Sequence, residues 1–154
     1  MDLLEELTKL LSKLKKEKID FALCGGLAMA VYAFPRATLD IDIMIKPEVL
    51  AHVKKIVGKL GFSIDTGLME FKSGSIKIYR LCKITPESKD ELILDLLLVT
   101  PKIHDVWESR KEVLWEGGAL PVVSPEGLIR LKSIRGSGQD KDDIEHLRGL
   151  IDED

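Results

Sequence analysis

The chain is poor in the residues that build metal fingers and disulfide frameworks. It has two cysteines, Cys24 and Cys82, each inside an apolar, strand-like run. Cysteines so placed read as free, buried thiols in a reducing cytoplasm. Its three histidines, His52, His104 and His146, are scattered, and no zinc spacing is present. Long apolar runs are missing too. The longest uncharged stretch, Phe21 to Pro35, contains Gly25-Gly26 and is too short to span a bilayer. Asp2, Glu5 and Glu6 make the first residues acidic, which excludes a signal peptide. Charge of one sign is scarce: the net charge is -3 and the signs alternate. That argues against a broad basic surface for nucleic acid, though not against a local one.

What is present is an ordinary globular mixture. The chain has 154 residues, 45% hydrophobic and 32% charged, a length that suits one domain around one core. Leu3, Leu4, Leu7, Leu10, Leu11 and Leu14 form the stripe of a helix over Asp2 to Lys18. Its lysines, from Lys9 to Lys18, read as a solvated face or as a contact for a polyanion. Ile19 to Cys24 is a strand, stopped by Gly25-Gly26, and Leu27 to Ala33 a short buried helix ended by Pro35. A second strand runs from Leu39 to Ile45. A helix follows Pro47 and stops at Gly61.

Phe62 to Asp65 reads as a short strand, and Met69 to Lys72 with Ser75 to Ile84 as a hairpin around Ser73-Gly74. Ile76, Ile78 and Arg80 alternate there with Lys77, Tyr79 and Leu81, which leaves the register open. Leu92 to Val99 is the most apolar strand, and a helix spans His104 to Arg110. Gly117-Gly118 marks a second hairpin. Ser124-Pro125 caps a helix, Gly136-Ser137-Gly138 breaks it, and Asp140 caps a last one. No linker divides the chain, so the expectation is one domain over residues 1–154 with a helical tail from about residue 124. Two hairpins exclude an all-parallel sheet. The class is α+β, a mixed α/β sheet flanked by helices.

The chemistry centres on the acids. Asp40 and Asp42 sit two apart in a strand, so both point to one face while Leu39, Ile41, Ile43 and Ile45 point to the other. Two carboxylates roughly 6–7 Å apart along one strand repel each other. They suit solvent or a hard divalent cation such as Mg²⁺ or Mn²⁺. Asp95 lies among Leu92, Ile93, Leu94, Leu96, Leu97 and Leu98. An unpaired acid there costs several kcal/mol, so it needs either a metal or an ion pair, with Arg36 or Arg80 as candidates. Gly25-Gly26 lets backbone approach an anion closely at a strand-to-helix turn. Arg36 can pair a phosphate or steady the acids, and Thr38 can donate a hydroxyl; both can equally serve to order the loop.

Gly25-Gly26, then Arg36-x-Thr38-x-Asp40-x-Asp42, then a lone Asp95 in a later apolar strand resembles the nucleotidyltransferase superfamily of DNA polymerase β type. It is most similar to small proteins related to abortive-infection toxins, and the Gly-Gly form is also similar to tRNA nucleotidyltransferases. The resemblance spans about Ile19 to Val99. It implies a nucleotidyltransferase-like fold, Mg²⁺ (or Mn²⁺), and transfer of a nucleoside monophosphate from an NTP to a hydroxyl acceptor with release of pyrophosphate. Asp40, Asp42 and Asp95 would be the catalytic and metal-binding acids, with Asp95 as general base. Gly25 and Gly26 would hold the triphosphate. The run from Ser124 to Lys132 and then Gln139-Asp140-Lys141-x-Asp143 resembles the helical tail of those small proteins, where Lys132 and Lys141 can contact phosphates and Asp140 and Asp143 organise the tail. One departure is Gly26, where many relatives carry Ser, which removes a hydroxyl contact. The acceptor stays open among RNA (a tRNA end included), protein and small molecule. A homodimer or an antitoxin is the expected partner, and no membrane is involved. A non-catalytic nucleotide-binding or regulatory module of the same fold is the alternative.

Overall fold

The computed structural model describes residues 3–32, 40–84, 90–115, 118–135 and 138–152. Helix α1 (Leu3–Lys16) buries Leu7, Leu10, Leu11 and Leu14. On its outer face Lys9 and Lys13 pair with Glu5 and Glu17, each at 3.5 Å, so part of the lysine cluster is engaged in local i,i+4 pairs. Strand β1 (Ala22–Cys24) is wholly buried and passes directly into α2 (Gly25–Val31). The paired glycines were expected to separate strand from helix; they form the helix's first turn instead. Cys24, at φ -137°, occupies the cap position, and Gly25 makes the turn with φ +68°, which only glycine adopts at little cost.

Strand β2 (Asp40–Ile45) is followed by a 3-10 turn, Pro47–Val49, and α3 (Leu50–Lys59). The short strand expected at Phe62 to Asp65 and the first hairpin arm are one strand, β3 (Ile64–Phe71), paired with β4 (Ile76–Ile84). A register shift between Asp65 and Gly67 absorbs the break in apolar alternation that hid this continuity. The Gly67 N–H donates to Asp65 Oδ1 at 2.9 Å across that step. Next come β5 (Glu91–Leu98), α4 (His104–Glu108), β6 (Lys111–Trp115) and β7 (Gly118–Val122). Helix α5 (Pro125–Arg135) is capped as its sequence requires, the Gly127 N–H donating to Ser124 Oγ at 3.0 Å. Helix α6 (Gly138–Asp152) starts two residues ahead of the cap expected at Asp140.

The seven described strands form one mixed sheet in the order β3-β4-β5-β2-β1-β7-β6. Pairing is parallel between β2 and β5 and between β1 and β7. It is antiparallel elsewhere. Ion pairs and hydrogen bonds fix which helix covers which face. Lys83 on β4 bonds Glu6 of α1 at 2.8 Å and the Leu60 carbonyl, just after α3, at 2.9 Å. Lys54 of α3 donates to the Tyr79 hydroxyl at 2.8 Å. Helices α1 and α3 therefore lie on the face of β4 that carries Tyr79 and Lys83. Arg80, one residue out of phase, looks to the other face. Ile41, Ile43, Ile45, Leu94 and Leu96 are fully buried members of one core cluster that also includes Val53 and Val57 of α3. No described helix is long and apolar enough to cross a membrane.

Candidate active site

On the face away from α1 and α3, four side chains stand in one row across four strands. Arg80 of β4 is level with Asp95 of β5, Asp95 with Asp42 of β2, and Asp42 with Cys24 of β1. Neighbours in register point to the same side of a sheet, with strands about 4.8 Å apart. Asp40 belongs to the same face two residues earlier on β2. The parallel β2–β5 pairing is what brings Asp95 beside the Asp40–Asp42 pair, although some fifty residues separate them in the chain.

These residues line one pocket of about 500 Å³, together with Gly25, Gly26 and Lys132. Sequence reasoning put six of its site residues here: Gly25, Gly26, Asp40, Asp42, Asp95 and Lys132. Arg36 and Thr38 lie outside the described residues. Lys141 is on α6, and its side chain is outside them too. Apart from Lys72 at the β3–β4 turn, the rest of the lining is apolar: Phe71, Ile76 and Ile78 of the hairpin, Leu97 of β5, and Leu128, Leu131 and Ile134 of α5.

Each polar group is positioned by its backbone. Gly25 packs so tightly on β2 that a Cβ there would overlap the Asp42 carboxylate. Glycine thus serves two needs, the left-handed φ and the close approach. Lys132 is 5% exposed, a cation on α5 placed over the row of acids. Cys24 is buried beneath it; burial pushes its thiol pKa well up, the nearby Asp42 adds to this, and Lys132 opposes it. A neutral thiol is therefore the form present at ordinary pH.

Asp95 is only 6% exposed and takes both of its oxygens to one partner. Arg80 Nε donates to Asp95 Oδ1 at 2.8 Å and the terminal guanidinium nitrogen to Oδ2 at 3.0 Å. This is the two-pronged pairing that guanidinium geometry favours. The hydrogen bonds to Asp95 raise the Arg80 pKa further, against an opposing effect of burial. In the sequence Arg80 is a candidate ion-pair partner for Asp95 and no more; the structure adds it to the site. Its signal was its phase with Ile76 and Ile78, which becomes readable once β4 is known to pair with β5.

The donor set fits a hard divalent cation in kind, since carboxylates are the preferred ligands of Mg²⁺ and Mn²⁺. As the side chains stand, no group of three His, Cys, Asp or Glu among the described residues is gathered closely enough to hold an ion. Asp95 is turned to Arg80, and Asp40 and Asp42 line the same pocket.

Comparison with known proteins rests on structure. No family model matches the chain, and no curated protein does. Among solved structures, it is similar to a candidate nucleotidyltransferase from Thermotoga maritima, with TM-score 0.63 and 20% identity over 98% of this chain and 93% of that one. It is also similar to the antibiotic-resistance factor ANT(2'')-Ia. In solution that protein matches with TM-score 0.61 and 17% identity, covering 99% of this chain and 94% of the other. Its crystal structure with adenylyl-2''-tobramycin gives TM-score 0.65 and 15% identity over 94% and 87%. The chain has a nucleotidyltransferase fold.

Proposed function

We propose that this protein is a metal-dependent nucleotidyltransferase that moves a nucleoside monophosphate from an NTP to a hydroxyl acceptor. The observation that carries the reading is the meeting of Asp40, Asp42 and Asp95 on one wall of a pocket whose other walls bring Gly25, Gly26 and Lys132. The fold shared with ANT(2'')-Ia supports it, since that protein is seen with an adenylyl group on tobramycin.

Asp40 and Asp42 would hold Mg²⁺ or Mn²⁺, which when bound neutralises charge developing on the phosphate oxygens. Lys132, and Lys141 from α6, contact the triphosphate, and Gly25 and Gly26 let it approach the backbone. Arg36 and Thr38 complete its binding from the segment before β2. The acceptor oxygen attacks the α-phosphorus in line, the bond from that phosphorus to the bridging oxygen breaks, and pyrophosphate leaves. Asp95, released from Arg80, takes the acceptor's proton. The acceptor is RNA, protein or a small molecule, and a toxin-type role would bring a partner protein that controls the site.

Incubation with α-labelled NTPs, Mg²⁺ and cell extract tests this. Label should pass to RNA, protein or a small molecule and disappear in Asp42→Asn. If the wild type binds NTP and metal but labels nothing across a broad acceptor set, the non-catalytic nucleotide-binding module replaces this reading.

A further inference from the structure

We infer that Arg80 is a positioning residue that withholds Asp95 from the cation until a phosphate draws the guanidinium away; the inference rests on the function proposed above. Three observations carry it. Both Asp95 oxygens are bound by the one guanidinium, at 2.8 and 3.0 Å, so a cation reaching for Asp95 competes with two charge-assisted hydrogen bonds. The pair is held by sheet register, Arg80 facing Asp95 and Asp95 facing Asp42, so it cannot drift apart without a change of side-chain conformation. The partners also differ in access: the Asp95 side chain is 9% exposed and that of Arg80 35%. An incoming ligand therefore meets the guanidinium before the carboxylate.

Phosphate is the group best matched to replace the carboxylate, because it offers the same pair of oxygens to the same fork. Lys132, which lines the same pocket, adds a second positive side chain to the cavity an anion would enter. The exchange is an ion-pair swap: no covalent bond changes, and Asp95 is left with its oxygens free as the nucleotide arrives. The third acid is thus supplied only when there is a phosphoryl group for it to act on.

A purely structural Arg80 and a withholding Arg80 predict opposite responses to Arg80→Met. Mn²⁺ binding without nucleotide, followed by electron paramagnetic resonance, should tighten by about tenfold in Arg80→Met, the equivalent of one charge-assisted hydrogen bond (~1.4 kcal/mol). The gain should vanish when Asp95→Asn is added. Binding of a non-hydrolysable ATP analogue in EDTA should shift the other way and weaken by about tenfold. Arg80→Lys, which keeps the charge and loses the fork, should fall between on both measures, and it carries the test if Arg80→Met does not fold. Equal or weaker Mn²⁺ binding in whichever of these variants folds would overturn the inference and leave the nucleotidyl-transfer reading in place. If neither the wild type nor the variants bind Mn²⁺, the metal-site reading fails first and the inference goes with it.

Discussion

At Gly25 one missing methyl group decides whether Asp42 can take its place. The residue enters α2 at φ +68° and lies against the Asp42 carboxylate. Gly25→Ala should therefore cost roughly 1–2 kcal/mol for the left-handed backbone alone, read as a lower midpoint of chemical denaturation. It should also reduce transfer activity by more than that stability loss explains, because the new Cβ displaces a proposed metal ligand. Unchanged activity in a folded Gly25→Ala protein would mean that the position of the Asp42 carboxylate is unimportant. Asp40 and Asp42 are legible in the sequence because alternation in a strand is local. Asp95 is legible as a charge in an apolar run, but the partner it needed was open between metal and arginine. The structure shows the arginine; under the exchange proposed for Arg80, arginine and metal are successive partners of the one acid.

Between elements, the end of α2 is tied by one hydroxyl to the end of β7, the strand beside β1. Tyr32 donates to the Val123 carbonyl at 2.9 Å, just ahead of α5. Burial, with the charge of Glu126 adding to it, pushes the Tyr32 pKa up to about 12. The folded state thus holds the phenol proton more tightly than the unfolded chain, whose tyrosines titrate near 10. This stability is fully present below about pH 10 and is lost as the pH rises towards 12. Tyr32→Phe should cost about 1 kcal/mol near neutrality and should flatten the alkaline fall in denaturation midpoint that the wild type shows. Equal alkaline slopes in the two proteins would contradict this. Strand existence and helix periodicity were readable here, as the Ser124 cap of α5 illustrates. Element boundaries were less so: the bulge at Asp65–Gly67 conceals the length of β3, and the glycines expected as a turn between strand and helix are the first turn of α2 itself.

For the molecule as a whole, the arrangement of the sheet makes the site. Strand β5 comes back parallel to β2 only after α3 and the β3–β4 hairpin, and it then brings β4 alongside. Pairing over that distance leaves no local trace, so sequence reasoning could name Asp40, Asp42 and Asp95 but could not place Arg80 level with Asp95. Lys132 differs: the resemblance of the tail names it from the sequence as a phosphate contact, and α5 brings it to the pocket that the acids line. The likeness in fold to solved structures covers nearly the whole chain, whereas the resemblance read from the sequence spans about Ile19 to Val99 and the tail motifs after Ser124. The claim tested most directly by experiment is that this row of acids moves the α-phosphoryl group. Parallel incubations with α-labelled and γ-labelled NTP, with Mg²⁺ and the acceptor fraction, should give labelled acceptor from the α-label alone and labelled pyrophosphate from the γ-label, and Asp42→Asn should abolish both. Acceptor labelled from the γ-position, or α-label transfer that survives Asp42→Asn, would contradict it.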